Sequence, residues 1–181
     1  LTINALNWFD GIPGQVGSIT TIGFLTIGFL SLSTRVNQPA LALIAFILAG
    51  LSFGCLLFVF PTPKVLMGDT GAMFFGLLLG VLTIYSGGKV ATAFLVLGVP
   101  LIDLVFVILR RLHRGAPLMK GNAHDQHMHH RLLQRGWSPR QIIAFTALAG
   151  AAFGISALFL STLGKIISSV LLFLFMTLMA I

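Results

Sequence analysis

Charged side chains are scarce in this sequence, and their scarcity excludes a soluble globular domain. Only 8% of the 181 residues are charged, whereas 57% are hydrophobic, and an ordinary soluble domain has about 25% charged residues. A chain of this length has too little interior to bury so much apolar surface. With a mean hydropathy of +1.03, the chain must use lipid as part of its surroundings. The sequence therefore predicts an integral membrane protein.

Acidic residues and cysteines are also few. The acidic residues are four aspartates, with no glutamate, against eleven Lys and Arg residues. In a membrane protein, the resulting charge of +7 is typical of cytoplasmic loops, of contact with anionic lipid and of anionic substrates, so nucleic acid is not an expected partner. The single Cys55 lies within an apolar run and provides neither an internal disulfide nor a thiolate metal site.

Apolar runs separated by short polar turns predict transmembrane helices. Because about 20 apolar residues cross a bilayer, we expect an all-α, polytopic transmembrane helical bundle with about six spans in this chain. The candidate spans are residues 16–33, 39–60, 71–86, 89–111, 140–161 and 165–181. The long segment 110–139 contains all five histidines and is expected to be a His- and Arg-rich loop.

The distribution of charge favours one orientation in the membrane. Six crossings place the start of the chain, the 61–70 turn and the 110–139 loop on one face, which carries eight of the eleven Lys and Arg residues. By the positive-inside rule, this face is expected to be cytoplasmic. Asp10, Asp69 and Asp125 fall on the same face, so we expect a polar site there.

Asp69 lies in the segment Met67-Gly68-Asp69-Thr70-Gly71, directly before an apolar run. Asp and Thr at such a position can cap a helix, or the carboxylate can bind a hard cation such as Mg²⁺. The unpaired N–H groups of a helix N-terminus also favour a phosphate nearby. The pattern leaves the capping and the metal-binding interpretations open.

A second polar group precedes the first predicted span. Asn4, Asn7 and Asp10 recur every three residues and would line one face of a helical turn that runs into a Gly/Pro break. Such a face suits a nucleotide or a metal-bound phosphate. A polar edge at the membrane surface would produce the same pattern.

The third group consists of His127, His129 and His130, followed by Arg131. Imidazole and guanidinium groups together supply hydrogen-bond donors for pyrophosphate oxygens. A basic loop can also attract anionic lipid headgroups without any catalysis. Zinc is disfavoured, since no cysteine lies near and the surrounding positive charge opposes a dication.

Asp103 lies roughly two helical turns inside the end of its predicted span. An ionisable group at that depth is costly unless it is protonated, paired or facing a wet cavity, so a functional role is the first interpretation. The alternative is a protonated carboxyl group that is hydrogen-bonded across helices.

Taken in order, Asn-Ala-Leu-Asn-Trp-Phe-Asp-Gly, Met-Gly-Asp-Thr-Gly and His-Met-His-His-Arg-Leu-Leu are similar to the motifs of one family. The chain resembles the bacterial polyprenyl-phosphate N-acetylhexosamine-1-phosphate transferases of glycosyltransferase family 4, which are related to the translocase that makes the first lipid intermediate of peptidoglycan. The His-x-His-His form is more similar to the UDP-N-acetylglucosamine branch. Family members have more spans, so the resemblance implies that residues 1–181 are the C-terminal part of a single membrane transferase domain.

The resemblance implies transfer of an N-acetylhexosamine-1-phosphate from a UDP-sugar to undecaprenyl phosphate in the bilayer, with release of UMP. This reaction starts a cell-envelope glycan and uses Mg²⁺ or Mn²⁺, and a homodimer is compatible with it. In this role Asp69 would bind the metal. The predicted catalytic residues are Asp69, Asp10, His127, His129 and His130, and the predicted substrate-binding residues are Asn4, Asn7, Arg131 and Asp103.

Two features depart from the family pattern. The family usually has Asp-Gly-x-Asp-Gly where this chain has Asp10-Gly11-Ile12-Pro13-Gly14, so the second carboxylate is absent. The paired aspartates of the family's earlier motif would precede the first residue, so this chain alone is expected to be inactive.

Two other functions remain open from the sequence. A transporter or proton-coupled carrier could use Asp103 and the histidines as a relay. Carriers tend to have internal repeats, and none is apparent here. A noncatalytic relative of the transferase is the third interpretation, and Pro13 favours it.

Overall fold

The computed structural model describes residues 1–86, 97–113, 115 and 127–180, and the regular elements within these ranges are all helices. They are α1 (Thr2–Phe9), α2 (Gln15–Leu32), α3 (Pro39–Val59), α4 (Gly68–Tyr85), α5 (Gly98–His113), α6 (Met128–Gln134), α7 (Pro139–Phe159) and α8 (Thr162–Ala180). The predicted all-α class is confirmed.

Four of the described helices, α2, α3, α4 and α7, are long and apolar enough to cross a membrane. They begin and end within three residues of the spans predicted from hydropathy. The described part of the 89–111 prediction belongs to α5, and residues 87–96 lie outside the described residues. The last predicted span corresponds to α8, which contains a shorter apolar stretch, Leu163–Thr177.

Helix α2 is the centre of the bundle. Within an apolar stretch of 18 residues in α2, 72% of the residues are buried. The corresponding share in α3 is 28%, because the large apolar side chains of α3 face outward. Helix α2 packs mainly against α3 and α7. Gly150 and Gly154 of α7 have no side chain where Ile19 and Thr26 of α2 approach. These small residues let the two backbones come close.

A cluster of three hydroxyl groups joins α2 to α3. Thr20 Oγ1 lies 2.6 Å from Ser52 Oγ, and Thr21 Oγ1 donates to the same oxygen at 3.1 Å. Ser52 Oγ donates in turn to the Gly17 carbonyl at 3.0 Å. Interhelical hydrogen bonds of this kind add to the packing of helices in a membrane, at about 0.6 kcal/mol each on average.

The turn between α1 and α2 occupies the Gly/Pro break that the sequence predicts. Gly14 has φ 96°, in the left-handed region that favours glycine. A Cβ at Gly14 would also lie 2.9 Å from the Phe60 Cβ. Both the backbone conformation and the lack of space therefore disfavour any residue with a side chain at this position. The start of α2 therefore lies against the end of α3, and the two helices are antiparallel.

The described parts of the 110–139 segment contain helix that the predicted loop did not include. Helix α5 continues through His113, two residues beyond the predicted span, and α6 forms within the segment. A capping box begins the next helix: Ser138 Oγ accepts from the Gln141 N–H at 3.3 Å and the Ser138 N–H donates to Gln141 Oε1 at 2.8 Å. Lys120, His124 and Asp125 lie outside the described residues.

The antiparallel pair predicts that Gln38 and Lys64, both exposed, lie on opposite sides of the membrane. In the full-length protein without its native cysteines, Gln38→Cys and Lys64→Cys should react with an impermeant maleimide from opposite sides of sealed vesicles. Right-side-out and inverted vesicles distinguish the two sides, and detergent-opened vesicles measure total labelling. Labelling of both positions from one side would contradict this topology.

Candidate functional site

Helix α1 carries the first polar group and packs against α4 and α5. Gly76 of α4 allows a close approach, since a Cβ there would lie 2.9 Å from the Ile3 Cα. Asn4 is exposed, whereas Asn7 is half-buried. Asp10 follows the last residue of α1 and is also half-buried.

Asp69 lies in the first turn of α4 but does not cap it. The N-cap residue is Met67, and within the part of the chain that the structure describes no side chain accepts a capping hydrogen bond at this helix end. The capping interpretation is therefore wrong, because the helix begins earlier than the predicted span and places Asp69 inside its first turn. There the exposed carboxylate complements the positive end of the helix dipole.

Asp10 and Asp69 interact electrostatically across the α1–α4 contact. Burial and, second, the negative charge of Asp69 raise the pKa of Asp10 from 3.8 to about 6. Both effects disfavour the charged form of the Asp10 carboxyl group. The structure thus brings together the two acidic motifs that are 59 residues apart in the sequence (69 − 10).

The histidines lie against the turn that follows α1. A Cβ at Gly11 would overlap the imidazole of His129, so the ring lies directly on the Gly11 backbone. The His127 ring contacts Trp8 edge-to-face with centroids 6.3 Å apart and stacks on His129 at 5.5 Å. His130 is half-buried, with its ring 4.2 Å from that of His129. The first and third motifs therefore meet.

Asp103 is buried and paired with the histidine segment. Its Oδ1 accepts from the Met128 N–H at 2.8 Å, and its Oδ2 lies 2.8 Å from His127 Nδ1. An ionisable group within an apolar helix is costly unless it is protonated, paired or facing a wet cavity, and Asp103 is paired. Arg131, predicted to bind substrate, lies half-buried on α6.

Trp8 and Arg111 are site residues that the sequence analysis did not assign. The guanidinium carbon of Arg111 lies 5.3 Å from the centroid of the Trp8 ring, and Arg111 is buried. Asp103, Val107 and Arg111 are each four residues apart, so they share the buried face of α5. This spacing is the signal that could have distinguished Arg111 from an ordinary arginine at a membrane surface.

The Asp10 and Asp69 carboxylates supply some, but not all, of the ligands that a hard cation needs. In the described ranges, no group of three or more His, Cys, Asp and Glu side chains would hold an ion by itself. The buried Oδ1 of Asn7 has no hydrogen-bond partner there, and the Asp10 and Asp69 carboxylates repel each other. Mg²⁺ is commonly bound by one or two carboxylates together with substrate phosphates, so this donor set suits it.

These features define a class: a multi-pass helical membrane protein whose two acidic motifs and histidine segment meet around α1. Residues 1–87 match the family model described as glycosyl transferase family 4. The chain is 32% identical over 166 residues to a probable undecaprenyl-phosphate N-acetylglucosaminyl 1-phosphate transferase of Bacillus subtilis, covering 88% of this chain and 45% of the relative.

Two further relatives have similar names. A decaprenyl-phosphate N-acetylglucosaminephosphotransferase of Mycobacterium tuberculosis is 30% identical over 164 residues, which are 78% of this chain and 40% of the relative. An undecaprenyl-phosphate alpha-N-acetylglucosaminyl 1-phosphate transferase of Escherichia coli is 29% identical over 162 residues, 82% of this chain and 42% of the relative. The chain belongs to glycosyl transferase family 4. It spans less than half the length of these curated relatives.

The raised pKa of Asp10 predicts its reactivity with a hydrophobic carbodiimide, which modifies protonated carboxyl groups. Labelling of Asp10 should fall as pH rises, with a midpoint near the pKa of about 6. Asp69→Asn removes the repelling charge and should lower the midpoint, while burial keeps it above 3.8. Mass spectrometry of the Asp10 peptide measures the labelling.

The control is Thr70→Ala, which changes the neighbouring exposed side chain and keeps both carboxylates. Its midpoint should equal that of the unmodified protein. An Asp69→Asn midpoint that does not move would show that the two carboxylates are electrostatically independent.

Proposed function

We propose that this chain works in the transfer of an N-acetylhexosamine-1-phosphate from a UDP-sugar to undecaprenyl phosphate, with release of UMP. The observation that carries the proposal is the contact between Gly11 and His129, which joins the acidic turn to the histidine segment. Membership of glycosyl transferase family 4 favours this reaction over the carrier alternative. The names of the relatives support a polyprenyl-phosphate acceptor.

The reaction brings a phosphate-ended lipid to a nucleoside diphosphate, so several negative charges must approach one another. Catalysis of such a transfer depends mainly on positioning and on stabilising charge. His129 and His130, with Arg131 on the same short helix, are the groups that would donate to phosphate oxygens. An acceptor phosphate is already ionised near neutral pH, so a strong general base is not required.

We further propose that Asp10 and Asp69 bind Mg²⁺ or Mn²⁺ together with the substrate phosphates. A divalent ion bound there neutralises charge on the phosphoryl group and holds the substrate in place. Asn7 lies one helical turn before Asp10, and its buried Oδ1 has no hydrogen-bond partner among the described residues. This amide is the group on α1 that would contact the nucleotide or a metal-bound phosphate.

The charge distribution supports a cytoplasmic location for the site, in the plasma membrane of a bacterium. UDP-sugars are charged and water-soluble, so the site must face the aqueous compartment that supplies them. The lipid acceptor reaches the same site from the bilayer, into which α3 and α4 direct large apolar side chains.

Asp69→Asn tests the metal role in the full-length protein. We expect UMP release to fall by about 10²-fold or more, because a bound cation contributes several kcal/mol and each decade of rate is about 1.4 kcal/mol. The assay is Mg²⁺-dependent UMP release from UDP-N-acetylhexosamine in the presence of undecaprenyl phosphate. Near-normal turnover of the variant, at equal abundance in the membrane, would remove Asp69 from the metal site.

Gly11→Ala tests the contact between the two motifs. The added methyl group must displace the His129 ring, and a misplacement of about 1 Å can cost about 10²-fold in rate. We therefore expect a loss of turnover of at least about tenfold in the same assay.

The matched control is Gly54→Ala in α3, where a Cβ meets nothing within 4 Å. Alanine favours the helix by about 1 kcal/mol, so the fold is retained and turnover should not change. Equal turnover of Gly11→Ala and Gly54→Ala would exclude the His129 contact from the catalytic arrangement.

A further inference from the structure

Asp103 is the only aspartate whose carboxylate lies against the histidine segment among the described residues. It is 2% exposed and holds two consecutive residues, His127 through Nδ1 and Met128 through its N–H. Both distances are 2.8 Å, and the residues are 24 and 25 positions away in the sequence. The two carboxylate oxygens therefore have separate partners.

The bond to Met128 anchors the start of α6. His127 is the N-cap residue of this helix, but no side chain of the helix itself caps it. Asp103 accepts the first N–H of α6 from a different helix and places negative charge at the positive end of the α6 dipole. This bond fixes where the segment begins.

The bond to His127 links the state of Asp103 to the position of the ring proton. When the Asp103 carboxyl group is ionised it can only accept, and its partner is then the Nδ1–H form of the imidazole. The ring is also held by the Trp8 edge and by the stacked His129 ring. Nε2 is then the atom that carries either a lone pair or the proton of a charged ring.

We propose that Asp103 is a positioning residue: it orients His127 and keeps the proton on Nδ1, so that Nε2 is the atom that the histidine presents to the phosphate-bearing substrates. This inference rests on the proposed function. It differs from the predicted role of Asp103 as a direct substrate contact, because both carboxylate oxygens are engaged by the protein.

Asp103→Asn separates the two bonds. The Asn Oδ1 can still accept from the Met128 N–H, which keeps the anchor, but its NH₂ group then faces His127 Nδ1 and moves the ring proton to Nε2. The analogous change in the Ser-His-Asp triad lowers kcat by about 10⁴-fold through the wrong tautomer. Here we expect kcat for UMP release to fall by at least about tenfold, with KM changed by less than about threefold.

A double-mutant cycle tests whether Asp103 acts through His127. In a His127→Ala background, Asp103→Asn should cause little further loss of kcat, because the group that it positions is absent. An equal loss in both backgrounds would overturn the proposal. So would an Asp103→Asn variant with normal kcat, since Asp103 would then only anchor α6.

The ring proton can be observed without an activity assay. In protein labelled with ¹⁵N-histidine, the His127 signal, assigned by its loss in His127→Ala, should change from the Nδ1–H form to the Nε2–H form in Asp103→Asn. Thr83→Val is the control for a buried polar change, since Thr83 Oγ1 donates to the Leu79 carbonyl within α4, and it should alter neither the tautomer nor kcat. An unchanged tautomer in Asp103→Asn would overturn the positioning role even if the transferase reaction is confirmed. A changed tautomer in a protein without UMP release would contradict the proposed function alone.

Discussion

The burial of the Asp103 carboxylate between apolar helices is the constraint on which the site depends. A buried charge costs several kcal/mol unless it is paired and hydrogen-bonded. Asp103 meets this requirement with His127 and Met128, which forces the chain to return to α5 after 24 residues. His129 then lies on Gly11, and the His127 ring contacts Trp8. The Asp103 pair thus holds the start of the histidine segment against α5.

The candidate site contains two groups of polar side chains, an acidic group and a group of hydrogen-bond donors. On one side, burial and, second, the negative charge of Asp69 raise the pKa of Asp10. On the other side, the histidines supply hydrogen-bond donors and Arg131 supplies positive charge. In the proposed function, Asp10 and Asp69 would hold a divalent cation and the histidine segment would donate to phosphate oxygens, which would complement both groups of side chains. The helices around α2, joined by hydroxyl groups and close glycine contacts, provide the rigid support that such a site needs.

Sequence periodicity and hydropathy predicted the long helices well, because each apolar run has the length that a bilayer requires. They also predicted the break at Gly14, where the backbone conformation favours glycine. Helix α6 was not predicted, since its seven polar and apolar residues form no span and its start is held by a carboxylate on another helix. The sequence left helix capping and metal binding open for Asp69. The position at which α4 begins in the structure excluded capping.

The sequence by itself determined the membrane class, the positions of the four long apolar helices and the residue types available for phosphate chemistry, because these depend on local composition. The tertiary structure alone decided which of those residues meet. The Asp10–Asp69 repulsion, the Gly11–His129 contact and the Asp103–His127 pair each join segments far apart in the chain. Such contacts depend on helix packing, which is set by side-chain shape across several helices and leaves no periodic trace in any one of them.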